Sequence, residues 1–124
     1  MDSPKPTVCI GIPCYGDVSP EVLEDFMRFA YHCGRRLPQY DFYLAIKPKT
    51  EQFRARNAIV EAARQVNATW LLMLDDDMIV NPFVTQGPTD EYALVEKLIA
   101  HGKDVCGALY YQRGGSCQPV LMSA

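Results

Sequence analysis

"TWLLMLDDDMIV", residues 69–80, drives five apolar residues straight into three consecutive aspartates. A short apolar run bounded by turn-forming residues reads as a buried strand, so residues 69–75 are expected to be one. Asp75, Asp76 and Asp77 then fall where that strand ends. Adjacent carboxylates repel one another, and each prefers water to a protein cleft. Such a strand end is either fully solvated or built around something positive.

Outward from this stretch, strands and helices alternate. "TVCIGIP" (7–13) is a β-branched run that ends at Pro13, and it reads as a buried strand. In "VSPEVLEDFMRFAYHCG" (18–34), Ser19 can cap a helix, Pro20 suits its first position, and Glu21 and Glu24 suit its positive first turn. Val22, Phe26, Phe29, Ala30 and Cys33 recur at helical spacing, and Gly34 is expected to end the helix. "YDFYLAIKP" (40–48) is a second strand. "RARNAIVEAARQVNA" (54–68) is a second helix whose apolar face is Ile59, Ala62, Ala63 and Val66.

Beyond the aspartates, "TDEYALVEKLIAHG" (89–102) reads as a third helix capped by Thr89, with Leu94, Val95, Leu98 and Ile99 inward. "KDVCGALYYQ" (103–112) is expected to be a fourth strand, and the Gly-rich tail has room for one more short one. No repeat or linker interrupts the order. It predicts a single α/β domain over residues 1–124, with a mainly parallel central sheet flanked by helices. In such sheets ligands bind beyond the carboxyl ends of the strands. The aspartates and the loops "PCYGD" and "KPKTEQ" all follow strands, so all three open on that edge.

Composition narrows the partners. The chain has 124 residues, 48% hydrophobic and 22% charged, enough for one domain with a real core. Its net charge is -3 and Lys and Arg form no dense stripe, which argues against a nucleic-acid partner. No apolar run is long enough to span a bilayer. The N-terminus lacks the basic and apolar regions of a signal peptide. Five cysteines without a C-x-x-C pair speak against a metal cluster or a disulfide framework, so reduced thiols in the cytoplasm are expected.

Along an extended segment side chains alternate, so Asp75 and Asp77 are expected on one side and Asp76 on the other. Two same-side carboxylates are hard oxygen ligands of the kind that suit Mg²⁺ or Mn²⁺. With one or two protein carboxylates, such a metal completes its shell with water and substrate phosphates. A nucleoside diphosphate is the natural missing partner.

At this point three motifs occur in order: "IPCYG" (12–16), "ARN" (55–57) and the strand leading into "DDD" (75–77). Together they resemble the family 2 glycosyltransferases of GT-A fold, a Rossmann-like nucleotide-diphospho-sugar transferase architecture, over most of this chain. The resemblance implies a metal-dependent hexosyltransferase that uses a UDP-sugar and inverts the anomeric centre. It implies Asp77 and Asp75 as ligands of Mn²⁺ or Mg²⁺, with Asp75 also reaching the ribose or a metal-bound water. Pro13 and Tyr15 would line the nucleobase and ribose, Arg56 would face the pyrophosphate from a positive helix start, and Asp76 would complete the donor-binding set. Where family members carry an acidic residue that contacts uracil, this chain reads "IKPKTEQ" (46–52). Lys47 and Lys49 there are either a solvated edge or phosphate contacts.

Only 47 residues follow Asp77, whereas the family continues with an acceptor-binding half and a catalytic base. Asp90 and Glu91 suit a helix start, Asp104 suits a loop before a strand, and His32 and His101 suit helix ends, so none stands out as that base. The acceptor, a glycan or another hydroxyl, would then be presented with the help of a partner subunit, and slow hydrolysis of the donor is expected. Two alternatives remain. One is a sugar-nucleotide-binding module without transfer activity. The other is a haloacid dehalogenase-type phosphohydrolase, whose Asp-x-Asp normally sits on the first strand of its domain.

Overall fold

The computed structural model describes residues 5–14, 16–48, 52–80, 92–107, 110–111 and 119–120. It is an α/β fold that divides into two compact units, residues 1–79 and 80–124.

The first unit contains β1 (Thr7–Cys14), α1 (Pro20–Arg36), β2 (Asp41–Pro48), α2 (Gln52–Gln65) and β3 (Trp70–Met73). The three strands are parallel in the order β2-β1-β3, which puts β1 in the centre. A strand covered on both faces has no use for polar alternation. That is why residues 8–13 of β1 are all buried.

Cys9, Ala45, Ile59, Ala62 and Ala63 form the core on one face of the sheet, with Ala68 and Met73 packed against them. Gly11 belongs to that face, and a Cβ there would run into Cγ2 of Ile59. Bare backbone at Gly11 therefore lets α2 lie close to the sheet. Val8, Ile10 and Ile12 point to the other face. At its amino end the Tyr40 ring meets Phe42 and Trp70 edge-on, at 6.3 and 5.8 Å. Among the described residues Cys9, Cys14, Cys33 and Cys106 are free thiols, and burial pushes that of Cys9 up.

Local chemistry sets the helix ends. Ser19 Oγ accepts the Val22 N–H at 3.2 Å, and Pro20 opens α1, as expected. Gly34 does not end this helix, which runs on to Arg36. The stop comes from Pro38, which disfavours helical backbone at Leu37. Leu37 is buried, and its N–H donates to the Cys33 carbonyl.

At the end of α2, Asn67 takes a left-handed conformation (φ 53°). The Ala68 N–H reaches Ala63 O at 2.9 Å and the Asn67 N–H reaches Arg64 O at 3.1 Å, so Asn stands where glycine usually serves. β3 is shorter than expected, four residues rather than seven.

The second unit holds α3 (Leu94–Ala100), β4 (Tyr110–Tyr111) and β5 (Pro119–Val120). Leu94 and Val95 are buried as expected, and Gly102 follows the helix at φ 63°. Thr89, Asp90 and Glu91 lie outside the described residues. The fourth strand differs from its expectation. Residues 103–107 are not strand, Val105 is 82% exposed, and among the described residues of this stretch only Tyr110–Tyr111 form a strand. An apolar residue with nothing to pack on gains nothing from β structure, because strand propensity is largely packing. The short strand pairs antiparallel with β5, the expected extra strand of the tail. No helix among the described residues is long and apolar enough to cross a membrane.

Candidate functional site

The order β2-β1-β3 creates a switch point. The chain leaves β1 for β2 on one side and returns through α2 to β3 on the other. In open parallel sheets the crevice at such a reversal, outside the carboxyl ends, is where ligands bind. Here it lies between the ends of β1 and β3.

The acidic turn sits at this crevice. The Leu74 N–H donates to Gly11 O at 2.9 Å, fixing the root of the turn to β1, and Asp75 follows directly. The Met78 N–H then donates to the Asp75 carbonyl at 3.2 Å. Asp76 and Asp77 are thus the central residues of a four-residue turn, not a continuation of the strand. The alternation expected for the three carboxylates needed extended backbone through Asp77, so that premise is corrected. Asp75 and Asp76 are half-buried and Asp77 is exposed.

Arg56, one turn into α2, reaches the same place. Its Nη2 donates to Asp75 Oδ1 at 3.2 Å, with the two side chains 37% and 45% exposed. Such a solvent-screened pair adds about 0–1 kcal/mol to stability. Its geometry matters more than its strength. One N–H meets one oxygen, so the guanidinium keeps donors for a second anion, and Asp75 keeps an oxygen. Ala55 and Ile59, both buried, dock this part of α2 and so aim Arg56.

The other expected residues are placed less uniformly. Pro13 is fully buried near the end of β1, beside Lys47 in the parallel register. It shapes the strand end rather than presenting a surface. Tyr15 and Lys49 lie outside the described residues. Cys14, which the sequence did not single out, ends β1 with its thiol donating to Gly16 O at 3.4 Å. Gly11 was missed too, although an isolated glycine in an apolar strand is itself a sign of close approach. Asp104 is exposed in the loop after α3, and His101 caps that helix.

Among the described residues no group of three or more His, Cys, Asp or Glu stands ready to hold a metal ion. The donor set nevertheless fits a hard cation that takes one or two carboxylates from the protein and the remainder from phosphate and water. A cleft of about 450 Å³ lies along the carboxyl half of α2 and the start of β3, between Val60, Arg64, Asn67 and Leu71. It is at the opposite end of the sheet from the aspartates and takes no part in this site. Comparison with family models, curated proteins and solved structures finds no match for this chain.

Proposed function

We propose that this chain is a metal-dependent glycosyltransferase of GT-A architecture that takes a nucleotide-diphospho-sugar, a UDP-sugar, as donor. One observation carries the reading: an arginine from α2 meets Asp75, the first residue of the acidic turn, at the switch point of a parallel sheet. A carboxylate cluster suits a cation, the guanidinium suits a diphosphate, and the two ligands suit each other. Inversion at the anomeric centre rests on the family resemblance alone.

Asp77 and Asp75 would hold Mn²⁺ or Mg²⁺, which supplies Lewis-acid stabilisation of the leaving diphosphate. The chain's own residues do the rest of the donor work. Arg56 turns its remaining donors to a phosphate oxygen, and Asp75 and Asp76 orient the ribose side. Tyr15 would stack against the nucleoside. A glycan or another hydroxyl is the acceptor, with a partner subunit supplying that surface. Free thiols fit a cytoplasmic setting.

The test is a titration of UDP with and without Mn²⁺. Each ligand should tighten the other, with coupling of about 1–3 kcal/mol. Equal UDP affinity in the two titrations would sink the metal bridge. Arg56→Ala should weaken UDP binding by about 1.5–3 kcal/mol and leave uridine binding nearly unchanged, because only the diphosphate offers the charge-assisted contact. Equal losses for both would place Arg56 on the base or make it a structural partner of Asp75. A second reading is a binding module without turnover. It is favoured by Asp104, a described acid of the later chain that matches none of these roles and lies exposed in a loop.

A further inference from the structure

β2 is an edge strand of the three-stranded sheet, and its charges, Asp41 and Lys47, stand at or near its two ends rather than along it. Its eight-residue register with β1 is unbroken by a bulge, and its proline comes only at the last position, Pro48. Leu44 and Ile46 are 52% and 58% exposed on one face, and Tyr43 is exposed on the other. The Asp41 N–H donates to Pro6 O at 2.9 Å, so Asp41, Tyr43, Ala45 and Lys47 turn their backbone groups to β1. Phe42, Leu44 and Ile46 turn theirs outward.

We propose that a second copy of this chain pairs with β2, antiparallel about Leu44, to make a two-fold dimer with one continuous six-stranded sheet. The sequence of the strand, "DFYLAIK" (41–47), is complementary to its own reverse. With Leu44 opposite Leu44, Phe42 of each copy faces Ile46 of the other, and all three outward residues exchange backbone hydrogen bonds across the seam. The exposed apolar side chains then meet on one face. Asp41 of each copy stands opposite Lys47 of the other, so two ion pairs close the ends of the seam. A register moved by two residues either way keeps the backbone phase but separates these charges, since Asp41 then faces Ala45 or Lys47 faces Tyr43. Backbone phase allows registers two residues apart, and charge selects this one among them. The inference is independent of what the acidic turn binds.

Sedimentation equilibrium of the full chain across a wide concentration range tests it. The expected result is a reversible monomer–dimer equilibrium. Asp41→Lys and Lys47→Asp should each weaken the dimer about ten-fold, because each puts like charges opposite one another twice. An equimolar mixture of those two variants should recover the wild-type association, since both cross-strand pairs become opposite again, and recovery also shows that both variants are folded. Leu44→Lys, which sets two ammonium groups face to face on the axis, should leave only monomer. A wild-type chain that stays monomeric at every concentration overturns the proposal. So does a dimer indifferent to these substitutions, or one that the mixture fails to restore.

Discussion

Gly11→Ala lowers the stability of the chain by about 1–3 kcal/mol, and Gly11→Val by more. The added Cβ meets Cγ2 of Ile59, a stiff β-branched side chain with no exposed surface, so neither partner can swing aside. Relief requires α2 to lift from the sheet. Because Arg56 lies on that helix, one turn before Ile59, the same displacement pulls it from Asp75. Urea unfolding reads the loss as a shifted midpoint at constant slope. Ile59→Ala alone costs about 2–5 kcal/mol through the cavity it leaves. The double variant should lose less than the sum, since each change supplies the room the other needs. An unchanged midpoint for Gly11→Ala would mean that the close approach does not exist.

Turnover of a UDP-sugar by the isolated chain should be slow and insensitive to added sugar acceptors. Absence of a positioned general base costs about 10²–10⁴-fold, which still permits metal-dependent release of UDP to water. Arg56 and Asp75, the residues proposed to hold the donor, are already in contact. Asp104, a late acid whose position is described, is exposed in a loop and matches no donor role. UDP release from UDP-glucose and related donors with Mn²⁺, with and without simple sugars, measures this directly. Fast transfer that depends on the acceptor would place a late acid in the cleft and refute the missing base.

Much of the first unit was legible because its signals are local. Ser19 and Pro20 mark a helix start through their own backbone chemistry, and the apolar run of β1 marks a strand covered on both faces. Failures arose where a residue answers to something distant. Gly34 has the chemistry of a helix stop, yet Leu37 and Pro38 end α1 three residues later. Residues 103–107 carry Val105 like a strand but have no surface to pack it on. The acidic turn was located correctly by the end of an apolar run, while its conformation was not. Backbone alternation gives no hint of the hydrogen bond from Met78 to Asp75 that ends it. The contact between Arg56 and Asp75 spans 19 residues. Each charge was singled out, but the bond between them depends on the strand order, which no local pattern encodes.

The central position of β1 also governs the order of events during synthesis. Its residues leave the ribosome before those of either neighbour, and β3 ends about sixty residues downstream. At roughly 5–20 residues per second, the nascent strand waits about 3–12 s before its second neighbour exists. For that interval an apolar segment with one open edge is held out in the cell, a species that chaperones bind and that aggregates when crowded. Slow translation between the codons for β1 and β3 lengthens this exposure, and fast translation there shortens it. Synonymous codon choice between residues 14 and 70 should therefore change the soluble yield of this protein without altering one atom of the product.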